Sequence, residues 1–127
     1  MLKIYLDHAA TTPTDSRVLK EMQPYFNKIY GNAGSLHSAG RQSKIAILQA
    51  RKSIAQILNC KLEEIIFTAS GTESDNLAIL GTARANKNFG NHIITSNIEH
   101  HAVLYPCEQL EKEGFRVSFL KVDNSGI

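Results

Sequence analysis

Apolar and polar positions alternate along the chain in a pattern that changes period several times. Ile4-Tyr5-Leu6 is a short apolar run that passes into Asp7-His8-Ala9-Ala10-Thr11-Thr12-Pro13. This second stretch is small, polar and closed by proline, which predicts extended or turning backbone. Asp15 or Ser16 can cap a first helix, and Val18, Leu19, Met22, Phe26 and Ile29 then recur at helical spacing on one stripe. Pro24 falls inside that stripe and predicts a kink or an early break. Gly31-Asn32-Ala33-Gly34-Ser35 ends the helix. The loop continues through Leu36 to Arg41 and runs into a longer helix with Ile47, Ala50, Ile54, Ile57 and Leu58 in period.

Ile65-Ile66-Phe67 is apolar and β-favouring, and predicts a first strand. It leads through Thr68-Ala69-Ser70-Gly71-Thr72 into a helix whose Leu77, Ile79 and Leu80 should face inward. Asn88-Phe89-Gly90-Asn91 is a turn, and His92-Ile93-Ile94-Thr95-Ser96 is short and β-branched, hence a second strand. Asn97-Ile98-Glu99-His100-His101 links it to a helix with Val103, Leu104, Cys107 and Leu110 inward and Gly114 as its C-terminal cap. Phe115 to Val122 alternates strictly and predicts a third strand, and Asp123-Asn124-Ser125-Gly126 is a turn. Strand–helix–strand–helix–strand after two leading helices predicts an α/β fold with parallel strands joined by right-handed crossovers. Three such strands would leave long unpaired edges, so the chain reads as the front part of a larger protein.

The chemistry collects at two strand ends, where ligands of parallel sheets gather. Gly71-Thr72 stands where a strand turns into a helix, so unpaired backbone N–H groups and the positive end of a helix dipole converge. An anion, phosphate above all, suits that place. Thr72 also lies three residues before Asp75, the spacing of a capping box, so an ordinary N-capped helix is the plain alternative. A nucleotide P-loop fits poorly, since no Lys-Ser/Thr follows the glycine. Glu99-His100-His101 ends the second strand. His92, Glu99, His100 and His101 could be imagined around a metal, but neighbours in an extended segment project to opposite faces, and no metal is expected.

Composition narrows the function classes. The 127 residues carry a net charge of +2 and no Lys/Arg cluster, which argues against nucleic acid. No apolar run reaches the length of a membrane span, and Asp7 interrupts what would be a signal peptide, so a cytoplasmic protein with a real core is expected. Cys60 and Cys107 follow no ligand spacing and read as buried, unreactive thiols.

Four blocks resemble the cysteine desulfurases, pyridoxal-phosphate enzymes of the class V aminotransferase group. Tyr5-Leu6-Asp7-His8-Ala9-Ala10-Thr11-Thr12-Pro13 is similar to their opening signature. The stretch from Gly31 to Arg41 resembles their Gly-Asn-Pro-Ser-Ser-x-His-x-x-Gly-Arg loop, with Ala33-Gly34 in place of Pro-Ser. Phe67 to Asn76 resembles their phosphate-binding turn, with its small residues permuted as Ala69-Ser70-Gly71. Ile98-Glu99-His100-His101-Ala102-Val103-Leu104 resembles their Glu-His-x-Ala-Val-Leu segment. The blocks follow the family's order and spacing over essentially the whole chain.

The resemblance implies the N-terminal part of a fold type I large domain, a parallel or mixed sheet with flanking helices, incomplete here. Residues 1–30 would be an N-terminal extended segment and helix, and residues 31–127 the truncated start of the cofactor-binding α/β domain. It implies pyridoxal 5'-phosphate as cofactor, held at its phosphate by Gly71 and Thr72. His100 would stack on the pyridine ring and serve in proton transfer. It further implies conversion of L-cysteine to L-alanine with a protein-bound persulfide, a sulfur-acceptor or scaffold protein for iron–sulfur assembly, and a homodimer, with neither nucleic acid nor membrane as partner. The family's Schiff-base lysine, its carboxylate-binding arginine and its persulfide-forming cysteine find no match here, so the chain alone should be inactive. Another class V enzyme (a selenocysteine lyase or an aminotransferase) or an inert truncated product are the alternatives.

Overall fold

A computed structural model describes residues 4–127, and these form two compact units, one up to Ile65 and the other from Ile66 to Ile127.

The first unit is helical. Asp15 caps α1 (Ser16–Met22): its carboxylate accepts the Arg17 N–H at 2.8 Å and pairs with the Arg17 guanidinium at 2.9 Å. The stripe breaks at Gln23, and α2 (Pro24–Asn27) starts on the proline, whose missing N–H has no partner to lose at the first helical position. His37 then caps α3 (Ser38–Leu58), its Nδ1 accepting the Gly40 N–H at 3.3 Å. The loop before it lies so close to the helix that a Cβ on Gly31 would collide with the Ala39 carbonyl, and one on Gly40 with the carbonyl oxygens of Asn32 and Ser35. Asn59, in the left-handed conformation, ends α3, and a 3₁₀ turn (Leu62–Glu64) follows.

The second unit is the α/β part. After α4 (Gly71–Ala85) come β1 (His92–Ser96), α5 (His101–Lys112) and β2 (Arg116–Leu120). The strands pair in parallel, in register from His92↔Arg116 to Ser96↔Leu120, with α5 as their crossover. Ala102, Pro106, Cys107 and Leu110 form the buried stripe of α5, with Leu110 fully enclosed and Phe115 buried just beyond the helix. Gly114 takes φ +89°, the left-handed residue expected to end this helix. The α4 and α5 helices run side by side in the same direction. Asn76 near the start of α4 bonds to Ala102 at the start of α5, and Arg84 near its end pairs with Glu113 at the end of α5.

Three expectations are corrected. Ile65-Ile66-Phe67 joins no ladder: the sheet consists of β1 and β2, paired with each other. The third strand is shorter than its alternating pattern, 116–120. The core is small: among the described residues the buried apolar side chains are Ala55, Ile65, Ala102, Pro106, Cys107, Leu110 and Phe115. The helical stripes exist but are not all covered: Ile57 in the first unit stays 83% exposed and Leu77 in the second 48%.

Candidate functional site

The start of α4 is built differently from the spacing argument. Ser70, fully extended at φ −162° and ψ 163°, is the cap, and its Oγ accepts the Glu73 N–H at 3.2 Å. Glu73 returns the favour, its carboxylate accepting the Ala69 N–H at 2.6 Å. The cap is therefore Ser70, with Glu73 reaching back one residue past it to Ala69, rather than a Thr72/Asp75 box, because the helix begins at Gly71. Thr68 Oγ1 contacts Ser74 Oγ at 2.6 Å and fastens the approach to the helix.

This shift releases Thr72 from the cap. Gly71 and Thr72 become the first two helical residues, whose N–H groups no helical carbonyl can reach. Neither those N–H groups nor the Thr72 hydroxyl meets an acceptor among the described residues. A Cβ built on Gly71 meets nothing within 4 Å, so the backbone is open to approach at that residue. Two amides, a hydroxyl and the positive end of a helix dipole collect at this helix start, a donor set that matches a phosphate group. The residues present thus fit the phosphate of the implied cofactor.

His100 lies at the start of the neighbouring helix and caps it. Its Nδ1 accepts the Ala102 N–H at 3.0 Å, so the neutral ring carries its proton on Nε2. His101 is the first residue of α5 and stacks on Tyr105 one turn later, with ring centroids 5.0 Å apart and planes at 14°. The two adjacent histidines therefore take separate jobs, one on the helix end and one on the helix flank. His92 is engaged elsewhere: Arg116 lies 2.8 Å from its Nδ1 and Ser118 Oγ 2.8 Å from its Nε2. Burial, then the charges of Glu111 and Glu99, pushes the Cys107 thiol up, so it stays protonated and inert.

At the far end of the helix pair, Glu113 accepts from Arg84 at 2.6 and 3.1 Å and from Gln109 at 3.1 Å. The Arg84 guanidinium, with help from Gln109, lowers the Glu113 carboxyl to about 2.

Residues 4–127 match the family model for aminotransferase class-V. The chain belongs to that family. Within it, the chain is 50% identical over 124 residues to cysteine desulfurase IscS of Dictyoglomus turgidum (strain DSM 6724 / Z-1310), across 98% of this chain and 32% of that protein. A solved NifS-like protein superposes with a TM-score of 0.85 at 36% identity, over 94% of this chain and 33% of its own. The structure of SspA in complex with cysteine matches with a TM-score of 0.81 at 41% identity, over 91% and 33%. The resemblance to cysteine desulfurases is borne out, and so is the fold class: helices and strands of the fold type I class-V enzymes, over about a third of their length. Among the described residues, no helix is long and apolar enough to cross a membrane.

Sequence reasoning missed Ser70, Glu73 and Asn76. For the first two a signal existed, since Ser70-Gly71-Thr72-Glu73 is itself a capping-box pattern. Asn76 gave none, being a polar residue inside a helical stretch.

Proposed function

We propose that the full-length protein containing this chain is a pyridoxal-phosphate-dependent cysteine desulfurase. It breaks the C–S bond of L-cysteine, passes the sulfur to an enzyme thiol as a persulfide, and releases the carbon skeleton as L-alanine. An iron–sulfur assembly protein would receive the sulfur, and a homodimer is the working form. The observation that carries this reading is the opening at the start of α4, where the unpaired donors of Gly71 and Thr72 stand beside the helix that His100 caps. The 50% identity to a cysteine desulfurase supports it.

When bound, pyridoxal phosphate supplies an electron sink for the substrate carbons. The chain's own residues bind and orient it. Gly71 and Thr72 donate to the phosphate, each hydrogen bond to that charged group contributing about 1.5–3 kcal/mol. The hydrogen bonds of Ser70 to Glu73 and of Glu73 to Ala69 fix the turn that carries these donors. His100 presents an imidazole whose orientation is set at Nδ1 by the Ala102 N–H, which leaves Nε2–H free to donate towards a reacting group. The residue that forms the Schiff base and the one that carries the persulfide come from outside this chain.

Purified full-length protein with pyridoxal phosphate and L-cysteine should therefore release alanine and, with a reductant, sulfide in equal amounts. The 127-residue chain alone should release neither above the level of free cofactor. A full-length protein that binds the cofactor but yields no alanine from cysteine refutes the reading.

A further inference from the structure

Among the described residues, Asn76 makes the one side-chain hydrogen bond between the starts of α4 and α5. Its Nδ2 donates to the Thr72 carbonyl at 2.8 Å and to the Ala102 carbonyl at 3.2 Å. Both acceptors are carbonyl oxygens, so only the NH2 side of the amide can face them, which fixes how the side chain lies. Asn76 is half-buried, and its two acceptors belong to the two residues that matter most nearby. Thr72 carries the proposed phosphate donors. Ala102 provides the N–H that holds His100 Nδ1 at 3.0 Å. One amide thus joins the phosphate turn to the backbone unit that orients the imidazole.

We propose that Asn76 is a positioning residue, setting the spacing between the Gly71-Thr72 phosphate turn and the His100 ring. The proposal rests on the reading of Gly71, Thr72 and His100 given above. A phosphate held on α4 and a ring held on α5 can fit one rigid cofactor only if the two helix starts stay in register. At the opposite end the pair is tied by Arg84 and Glu113, so loss of Asn76 should loosen the cofactor end alone.

Asn76→Ala in the full-length protein tests this. Loss of one such hydrogen bond should weaken pyridoxal-phosphate affinity by about three- to tenfold, followed by fluorescence titration of the apoprotein. The absorption maximum of the bound cofactor should shift, and that shift should vanish in a His100→Ala background if Asn76 acts through the ring. Backbone hydrogen exchange in the apoprotein should quicken at residues 101–104 and stay unchanged around Glu113. Asn76→Asp keeps the shape but turns an oxygen towards both carbonyls, and should show the same changes more strongly. Wild-type affinity and spectrum with only a lowered melting temperature would make Asn76 a purely structural residue and overturn the proposal, as would failure of both variants to fold. Thr72→Ala and His100→Ala serve as controls. If both leave affinity and spectrum unchanged, the site reading itself falls and the proposal with it; if they alter them while Asn76→Ala does not, the positioning role alone falls.

Discussion

Thr72→Ala in the full-length protein separates a ligand-binding threonine from a capping one. The structure gives the cap to Ser70, whose Oγ holds the Glu73 N–H, and leaves the Thr72 hydroxyl with no acceptor among the described residues. Removing that hydroxyl should therefore cost the fold little, within about 0.5 kcal/mol, since alanine is also the better helix former. Removing Ser70 Oγ should cost about 0.5–2 kcal/mol of stability, the usual loss for a capping side chain. Cofactor affinity should respond to Thr72. A hydrogen bond from a hydroxyl to a doubly charged phosphate contributes about 1.5–3 kcal/mol, or roughly tenfold to a hundredfold in affinity. The N–H groups of Gly71 and Thr72 remain in the variant, so the lower end of that range is expected. Fluorescence titration of the apoproteins with pyridoxal phosphate, beside their thermal melts, reads both quantities. Unchanged affinity with a lowered melting temperature in Thr72→Ala, and no loss in Ser70→Ala, would return the cap to Thr72 and refute the argument.

Two further outcomes follow from the same helix pair. His100→Ala should cut turnover at least a hundredfold and alter the cofactor's visible spectrum, whereas His101→Ala, which loses its stacking on Tyr105 and a tilted ring contact with His100 at 6.1 Å, should do little to either; steady-state rates and spectra check both. Glu113 titrates at about 2 in the folded chain against an ordinary 4.5, so its share of stability is present above pH 4.5 and is lost as pH falls through 2. Comparing acid unfolding of the full-length protein with that of Glu113→Gln should remove pH dependence in that window, and identical curves would argue against the Arg84 pairing.

Much of this architecture is written in local patterns. Pro24 ends α1, Asp15 begins it, and Gly114 closes α5, because caps and breakers act within one turn of the residues they control. The start of α4 was harder. Ser70-x-x-Glu73 and Thr72-x-x-Asp75 are both capping boxes, offset by two residues, and only the backbone angles of Ser70 choose between them. The strand expected at Ile65-Ile66-Phe67 fails for a different reason: an apolar run states a preference, while a strand also needs a partner edge. Asn76 lay beyond reach altogether, since one of its acceptors is 26 residues away. The residues of the candidate site were readable chiefly through the family resemblance, because Gly71, Thr72 and His100 are each ordinary in isolation.

The ties that hold the second unit also bear on how it forms. The β1–β2 contact of His92 and Arg116 closes 24 residues, Asn76 to Ala102 closes 26, and Arg84 to Glu113 closes 29. Loop-closure entropy grows only with the logarithm of length, so these three closures differ by about 0.2 kcal/mol. None has an entropic head start over the others. Which of the strand pair and the two helix ends forms first is therefore set by the strength of their contacts and not by the length of chain each must close.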